Sequence, residues 1–492
     1  AVCISMFPDE VFIGTVESTT VEIEKHKRTT VKRRAEDKEA PEGTFPDHLP
    51  RTVTVIDCKP EGVPEEELEV MGEEVTERLS VKPREFFVVC IARKKYKIRN
   101  SKKIVVAPAP THVLGHKCMV TAAFIVSMAV DKCLWSKPIY RHQQQLRLEG
   151  INISRDSLVR WYMELAQMLK PIVEAIAQDI RGSPYAHVDE TLIKVFRKVL
   201  SGQKMGRETY VDSYLWPILA PDAGITFFYQ PSRSMASAKE VIGDFKGIVI
   251  SDAYGAYDSM SAANSITWQL CWMHIRRNFI DAERSNPDRA QEAIGYIQKL
   301  YRVEHDMKEA EQKRRERFSD GDRLLIRQEN SVPVLEAMKK WLASVSTTVE
   351  CETSPLLKKA VWYVLGRWEA ASLFSKNGEL PLDNGMIERA IRTIKIGAKN
   401  WLHCASEGGA DALATYYSLI GSCLMHGIHP YYYLLDLTDR IEDRKLKAKD
   451  LTPARWKVKY GDEAIPLYAR NTILPGEAAI GGPRTGASTF LQ

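Results

Sequence analysis

The chain has 492 residues, too many for one hydrophobic core and enough for about three or four domains. Hydrophobic residues make up 44%, enough for globular cores, while a net charge of +5 is too small to point by itself to nucleic acid. Nine scattered cysteines exclude a disulfide scaffold, and no apolar segment behind a cationic start marks a secretory signal. A cytoplasmic protein without a membrane partner is therefore expected.

Residues 1–45 carry charged and Thr-rich runs with few periodic apolar segments, and are expected to be poorly ordered. Residues 46–110 read as a small β-rich module, held by apolar residues such as Phe86, Phe87, Val88 and Val89. Its run RKKYKIRNSKK, at 93–103, is dense in cations and free of acids. Lys94, Lys95 and Lys97 are candidates there for phosphate contact, against the competing reading of a solvated face.

Residues 111–180 read as all helical. MVTAAFIVSMAV, at 119–130, is too short to span a bilayer and suits a buried helix. Tyr140–Gly150 followed by INISRDSLVRWYMEL has the layout of a helix-turn-helix. One helix ends at Gly150, Ser154 caps the next, and Arg155 and Arg160 would project from it to meet DNA in a groove, against the competing reading of a plain packing unit of two helices. The spacing of His112, His116 and Cys118 is loosely metal-like and reads as incidental.

From about 181 to 425 the pattern turns to strands. SPYAHVDETLIKVF, at 183–196, alternates and is rich in β-branched residues, with Asp189 and Glu190 at its middle or end. TYVDSYLWPILA and GITFFYQPSRS form two more strands, joined by the turn Pro221-Asp222-Ala223-Gly224. In FKGIVISDAYGAYD the buried run Ile248–Ile250 ends at Asp252, and Gly255 opens the next loop. The interval before the next acidic helix is too long for a simple connection and predicts a helical insertion at about 260–375. It opens with CWMHIRRNFIDA, whose Cys271 and His274 fall on neighbouring turns of one helix and make an incomplete metal pair. Arg276 and Arg277 are available there for phosphate. Further on, a helical pattern breaks around Ser319–Asp322, and Trp362, Trp368 and Phe374 are expected in the core.

DNGMIERAIRTIKIGAKNWL, at 383–402, is the most informative stretch. At 100° per residue Glu388, Arg392, Lys395 and Lys399 share one face. Ile387, Ile391, Ile394 and Ala398 form the adjoining apolar stripe, and Asp383 or Asn384 offers a start cap. An ordinary amphipathic helix with a Glu–Arg pair is the plain alternative. An Asp on a first strand, an Asp ending a fourth and a Glu on a later helix is, however, the order of an RNase H-like nucleotidyl-transfer core. On residues alone, this supports a metal-dependent phosphoryl-transfer enzyme in an α/β chain. Asp189, Asp252 and Glu388 are the candidate ligands for two Mg²⁺ or Mn²⁺ ions, and Glu190, Asp383 and Asn384 support them. A glycosidase built on Asp189 and Asp252 would leave the cationic face beside Glu388 unexplained.

Many segments carry a resemblance in order from about 46 to 438, among them KPIYRHQQQL, GINISRDSLVRW, HVDET, SDAYGAYD, CWMHIRRNFIDA, LDNGMIERAIR, YSLIGSC and GIHPYYYLLD. The chain resembles the transposases of the bacterial insertion sequence 66 family, of the DDE class. The resemblance implies cleavage at transposon ends and strand transfer into target DNA, with Asp189, Asp252 and Glu388 as the catalytic and metal-holding triad. A homodimer on double-stranded transposon-end and target DNA, accessory proteins of the same element and a place beside the nucleoid go with it. In the family, residues 46–110 correspond to a zinc ribbon. Here Cys58 stands without a second nearby thiol and Ile98 and Ser101 replace cysteines, leaving Cys58 and a distant Cys90 against the four ligands a structural zinc needs. No zinc is expected. Gly385 stands where the family often repeats Asn. Residues 426–492 are left as a C-terminal helix and tail. The open alternatives are an RNase H-like nuclease without strand transfer and an inert DNA-binding descendant of a transposase.

Overall fold

The computed structural model describes residues 86–90, 95–97, 104–106, 113–115, 118–198, 208–441 and 446–460. The expectations for residues 1–85, Cys58, Lys94, His112, His116 and the tail beyond 460 fall outside them. The chain divides into two units, Ala1–Val89 and Cys90–Gln492. In the first, Phe87, Val88 and Val89 are exposed, so they do not form the expected core of that module.

The second unit begins with a small antiparallel pair, β1 (Lys95–Lys97) and β2 (Ile104–Val106). Three helices follow: α1 (Ala122–Cys133), α2 (Ile139–Leu148) and α3 (Arg155–Arg181). The turn between α2 and α3 passes through Gly150 at φ 73°, a left-handed conformation that suits glycine. The Ser154 hydroxyl accepts the Ser157 amide and starts α3. Leu158, Leu165, Leu169, Ile172, Ile176 and Ile180 recur at helical spacing on the buried face of α3, so hydrophobic burial fixes how it lies.

The central sheet has six strands. β3 (Tyr185–Val188) and β4 (Thr191–Lys198) are one strand interrupted at Asp189 and Glu190. Both pair antiparallel with β5 (Glu208–Ala220) in one unbroken register, from His187↔Leu219 to Thr191↔Leu215. β6 (Gly224–Gln230) pairs antiparallel on the far side of β5. The hairpin turns through Gly224 at φ 122°, where a Cβ would come within 2.6 Å of Ser422 Oγ, so only glycine fits. After α4 (Met235–Ile242), β7 (Ile248–Ser251) lies parallel to β3. After α5 (Gly255–Ala262), β8 (Thr267–Leu270) lies parallel to β7. Strand β8 lies inside the interval assigned to a helical insertion from about 260. Its four residues are too few for a period to register against the surrounding polar sequence.

The helical insertion proper comprises α6 (Trp272–Ala282), α7 (Pro287–Arg314), α8 (Asp320–Ser346), α9 (Val349–Thr353), α10 (Pro355–Leu365) and α11 (Trp368–Ser372). The break between α7 and α8 ends at Ser319, which caps α8, so Asp320–Asp322 are already helical. Trp368 and Phe374 are buried as expected, but Trp362 is half exposed on α10. The buried guanidinium of Arg327 ties the insertion to the segment entering the next helix. It meets Glu304 at 2.7 and 2.8 Å and donates to the carbonyls of Phe374 and Asn377. That helix is α12 (Gly385–Trp401), followed by α13 (Glu407–Met425) and α14 (Pro430–Arg440). α13 covers the edge strand β6, where Ser418 and Ser422 hydroxyls accept the Phe227 and Ile225 amides. No helix among the described residues is long and apolar enough to cross a membrane.

Candidate active site

Two parallel strands bring two aspartates side by side. β3 and β7 pair from Tyr185↔Ile248 to His187↔Ile250. Carrying that register two residues on sets Asp189 beside Asp252, on strands about 4.8 Å apart. Asp189 interrupts its strand, and its Oδ1 accepts the Glu190 amide at 2.8 Å. Asp252 directly follows β7, and its Oδ1 accepts the Tyr254 amide at 3.0 Å, which shapes the loop into α5.

Glu388 reaches the same place from α12. The first turn of that helix is bolted to the sheet by Asn384, which is fully buried. The Asn384 amide N–H donates to Cys271 Sγ at 3.1 Å, at the end of β8. Its side-chain Nδ2 donates to the Val188 carbonyl at 3.0 Å, and its Oδ1 lies 2.7 Å from His187 Nδ1. Val188 immediately precedes Asp189, so one side chain fixes the distance between the strand and the helix. Asn384 thus holds the N-cap position without capping the helix through its side chain. Asp383 does the local work: its Oδ1 accepts the Gly385 amide at 2.9 Å, while its Oδ2 accepts the Tyr301 hydroxyl at 2.7 Å.

Electrostatically the acids form one cluster. Burial foremost, with Asp252 and Glu388 beside it, pushes Asp189 up to about 7 against the pull of the Glu190 amide and Arg233. Burial and Asp252 push Glu190 up to about 8, only partly offset by Arg233. Crowded carboxylates shift in this way because two like charges in a poorly solvated site oppose each other's ionisation. Glu388 is turned toward α6: its Oε1 lies 3.6 Å from His274 Nε2 and its Oε2 accepts from Arg277 Nη2 at 3.4 Å. Burial lowers His274 although Asp252 and Glu388 favour its charged form.

Arg233, His274, Tyr254 and Tyr257 belong to this site and were not singled out for it in the sequence. Arg233 pairs with Glu190 and, at 3.5 Å, with Asp252. Tyr257 donates to Glu190 at 3.5 Å. Cys271 is the residue before α6 and His274 lies in its first turn, so the two do not form a pair on neighbouring helical turns. The Cys271 thiol is pushed up to about 12 by burial and serves as an acceptor for α12.

Other singled-out residues lie farther out. Arg392, Lys395 and Lys399 are exposed along α12, and Ile387, Ile391 and Ile394 are buried, whereas Gly397 replaces Ala398 in the buried stripe. Arg276 is exposed on α6, while Arg277 is engaged by Glu388. Arg155 and Arg160 are exposed on α3, Arg160 with Glu164 at 3.9 Å. Lys95 and Lys97 lie on β1.

Among the described residues no group of three or more His, Cys, Asp or Glu side chains is arranged to hold a metal ion as the side chains stand. The donor chemistry nevertheless fits a hard divalent cation. The cluster offers carboxylate oxygens that disfavour one another's charge, and Glu388 Oε1 is buried without a hydrogen-bond partner.

A mixed α/β sheet carrying an acidic cluster, with the third acid supplied by a helix after an all-helical insertion, defines the class. The chain belongs to the IS66 family of transposases: the sequence model described as "Transposase IS66 family" matches residues 117–412. Relatives in Sinorhizobium fredii (strain NBRC 101917 / NGR234) include the uncharacterized protein y4hP, 28% identical over 79% of this chain and 72% of its own length. The uncharacterized protein y4jD of the same strain is 27% identical, covering 84% of this chain and 82% of its own length.

Proposed function

We propose that this transposase uses Asp189, Asp252 and Glu388 as a DDE triad to cleave DNA at the ends of its element and to join those ends to target DNA. The observation that carries this reading is that adjacent inner strands β3 and β7 lead directly into Asp189 beside Asp252, and Asn384 ties the helix of Glu388 to Val188, next to Asp189. The strand order adds support. An antiparallel run of three strands, flanked on the first strand by two parallel strands, is the arrangement of an RNase H-like core.

The three carboxylates would hold two Mg²⁺ or Mn²⁺ ions. Such ions, when bound, make water or a DNA 3′-hydroxyl nucleophilic and stabilise the leaving oxygen. The protein's own part is positional. Asn384 sets Glu388 against the strand of Asp189, and the Tyr254 amide orients Asp252. Arg277 and His274 hold Glu388 on the α6 side. Arg392, Lys395, Lys399 and Arg276 would carry double-stranded DNA outward from the acids. The α2–α3 pair, with Arg155 and Arg160, and strand β1, with Lys95 and Lys97, would add contacts farther along it. Work on two DNA ends calls for a dimer, with or without accessory proteins of the element. We read residues 46–110 as zinc-free.

The test is incubation of the full chain with Mn²⁺ and a labelled duplex carrying the element's end. Nicks that leave a 3′-hydroxyl, together with joined products, are expected, and Asp252→Asn should abolish both while DNA binding persists. Nicking without joining would replace this reading with that of a nuclease, and binding without either would replace it with that of an inert DNA-binding protein.

A further inference from the structure

The acidic cluster contains a cation of its own. Arg233 lies in the loop Pro231–Ser234 that leads from β6 into α4, whose N-cap is Ser234. Its Nη2 contacts Glu190 Oε1 and stands 3.5 Å from Asp252 Oδ2. One nitrogen therefore bridges carboxylates from two different strands. The arginine is also held from behind. The Tyr254 hydroxyl donates to the Arg233 carbonyl at 2.6 Å, and the Tyr254 ring lies under the guanidinium with 4.2 Å to its centroid. The Arg197 guanidinium holds the loop at the Pro231 carbonyl at 3.1 Å. Tyr254 is the residue whose amide orients Asp252, so a single residue fixes both the acid and its counter-ion.

Resting on the metal-site reading given above, we propose that Arg233 is a resident counter-cation that holds Asp252 and Glu190 in the DNA-free protein and must release Asp252 before a divalent cation can be taken up. The physical reason is competition. A guanidinium bridging Asp252 neutralises part of the negative potential that would draw in a metal ion, and it occupies one of the oxygens the ion would use. An arriving phosphate gives the guanidinium another anion to pair with, so loading of DNA and of metal become coupled. Arg233 is thus a positioning residue that sets when the acids become available. A side chain that merely braced the loop would have no effect on metal affinity of this sign.

The test is a Mn²⁺ titration of the full chain without DNA, read by the electron paramagnetic resonance signal of free Mn²⁺. Arg233→Gln should bind Mn²⁺ at least about fivefold more tightly than the wild type, because one positive charge has left a cluster that must accept two. Arg233→Lys, which keeps the charge, should stay within about twofold of the wild type. Unchanged or weaker binding by Arg233→Gln overturns the proposal. If that variant melts early, Tyr254→Phe decides by the same titration, since it removes the hydroxyl tie to the Arg233 carbonyl but keeps the guanidinium. Tightening of about twofold supports the proposal and its absence overturns it. An Asp252→Asn control separates the two levels. Mn²⁺ affinity that ignores Asp252→Asn removes the metal-site reading and this proposal together. Affinity that responds to Asp252→Asn but not to Arg233→Gln removes only this proposal.

Discussion

Asn384 shows how a single amide can govern a site. It is fully buried, and its side chain joins the Val188 carbonyl and His187 rather than its own helix. Burial pushes His187 down to about 4, so at neutral pH the imidazole is uncharged and its Nδ1–H can donate to Asn384 Oδ1. Replacing Asn384 with Ala leaves a buried carbonyl and a buried imidazole without partners, and should cost about 2–4 kcal/mol in urea unfolding. Cleavage should fall further than folding does, because Glu388 loses its tie to the strand of Asp189. A variant that unfolds like the wild type would show that Asn384 does not hold the helix to the strand. At this scale the sequence was legible where chemistry is local. Asp189, Asp252 and Glu388 stood out as acids in strand and helix contexts. Arg233 and Tyr254 did not, since their partners lie on other elements and no spacing announces them, and His274 stood out only for its spacing from Cys271, not for its partner Glu388.

At the scale of the element, α12 was read correctly in outline because amphipathic periodicity is set by the helix itself. Ile387, Ile391 and Ile394 are buried, and the cations Arg392, Lys395 and Lys399 are exposed. The stripe departs from expectation at its end. Gly397 takes the buried position because a Cβ there would come within 2.8 Å of Trp401 Nε1, a crowding that belongs to tertiary packing. The exposed cations should follow the DNA backbone. Replacing Lys395 and Lys399 together with Ala should weaken binding about equally for matched and unrelated duplexes. The salt slope should fall by about 0.9 for each phosphate that is no longer neutralised. Stability should stay within about 0.5 kcal/mol, since neither residue packs into the core. An unchanged slope would make this face a solvated surface, leaving DNA to α2–α3 and β1. By contrast Ile394→Ala, at 0% exposure, should cost about 2–5 kcal/mol.

Across the whole molecule, the long strands and the helical character of the insertion were legible from the sequence, while β8 and the true start of the insertion were not. β8 has four residues, and its place in the sheet depends on pairing with β7, which no local pattern encodes. The insertion is also mechanically joined to the site. Arg327, at 0% exposure, pairs with Glu304 and grips the carbonyls of Phe374 and Asn377 ahead of α12. Glu304→Ala strands that buried charge and should cost about 3–5 kcal/mol by denaturant unfolding. Replacing both Arg327 and Glu304 with Met and Leu should recover much of the loss. Equal losses in the single and double variants would deny that the pair acts as a unit. Everything proposed for the chemistry depends on Asp189, Asp252 and Glu388 forming one metal-holding cluster. Anomalous scattering from crystals of the full chain grown with Mn²⁺ would show whether they do. Manganese peaks bounded by these three carboxylates are expected, with Glu388 drawn from Arg277 toward the aspartates. Manganese bound elsewhere, with Glu388 still held by His274 and Arg277 and the aspartates bare, would contradict the triad.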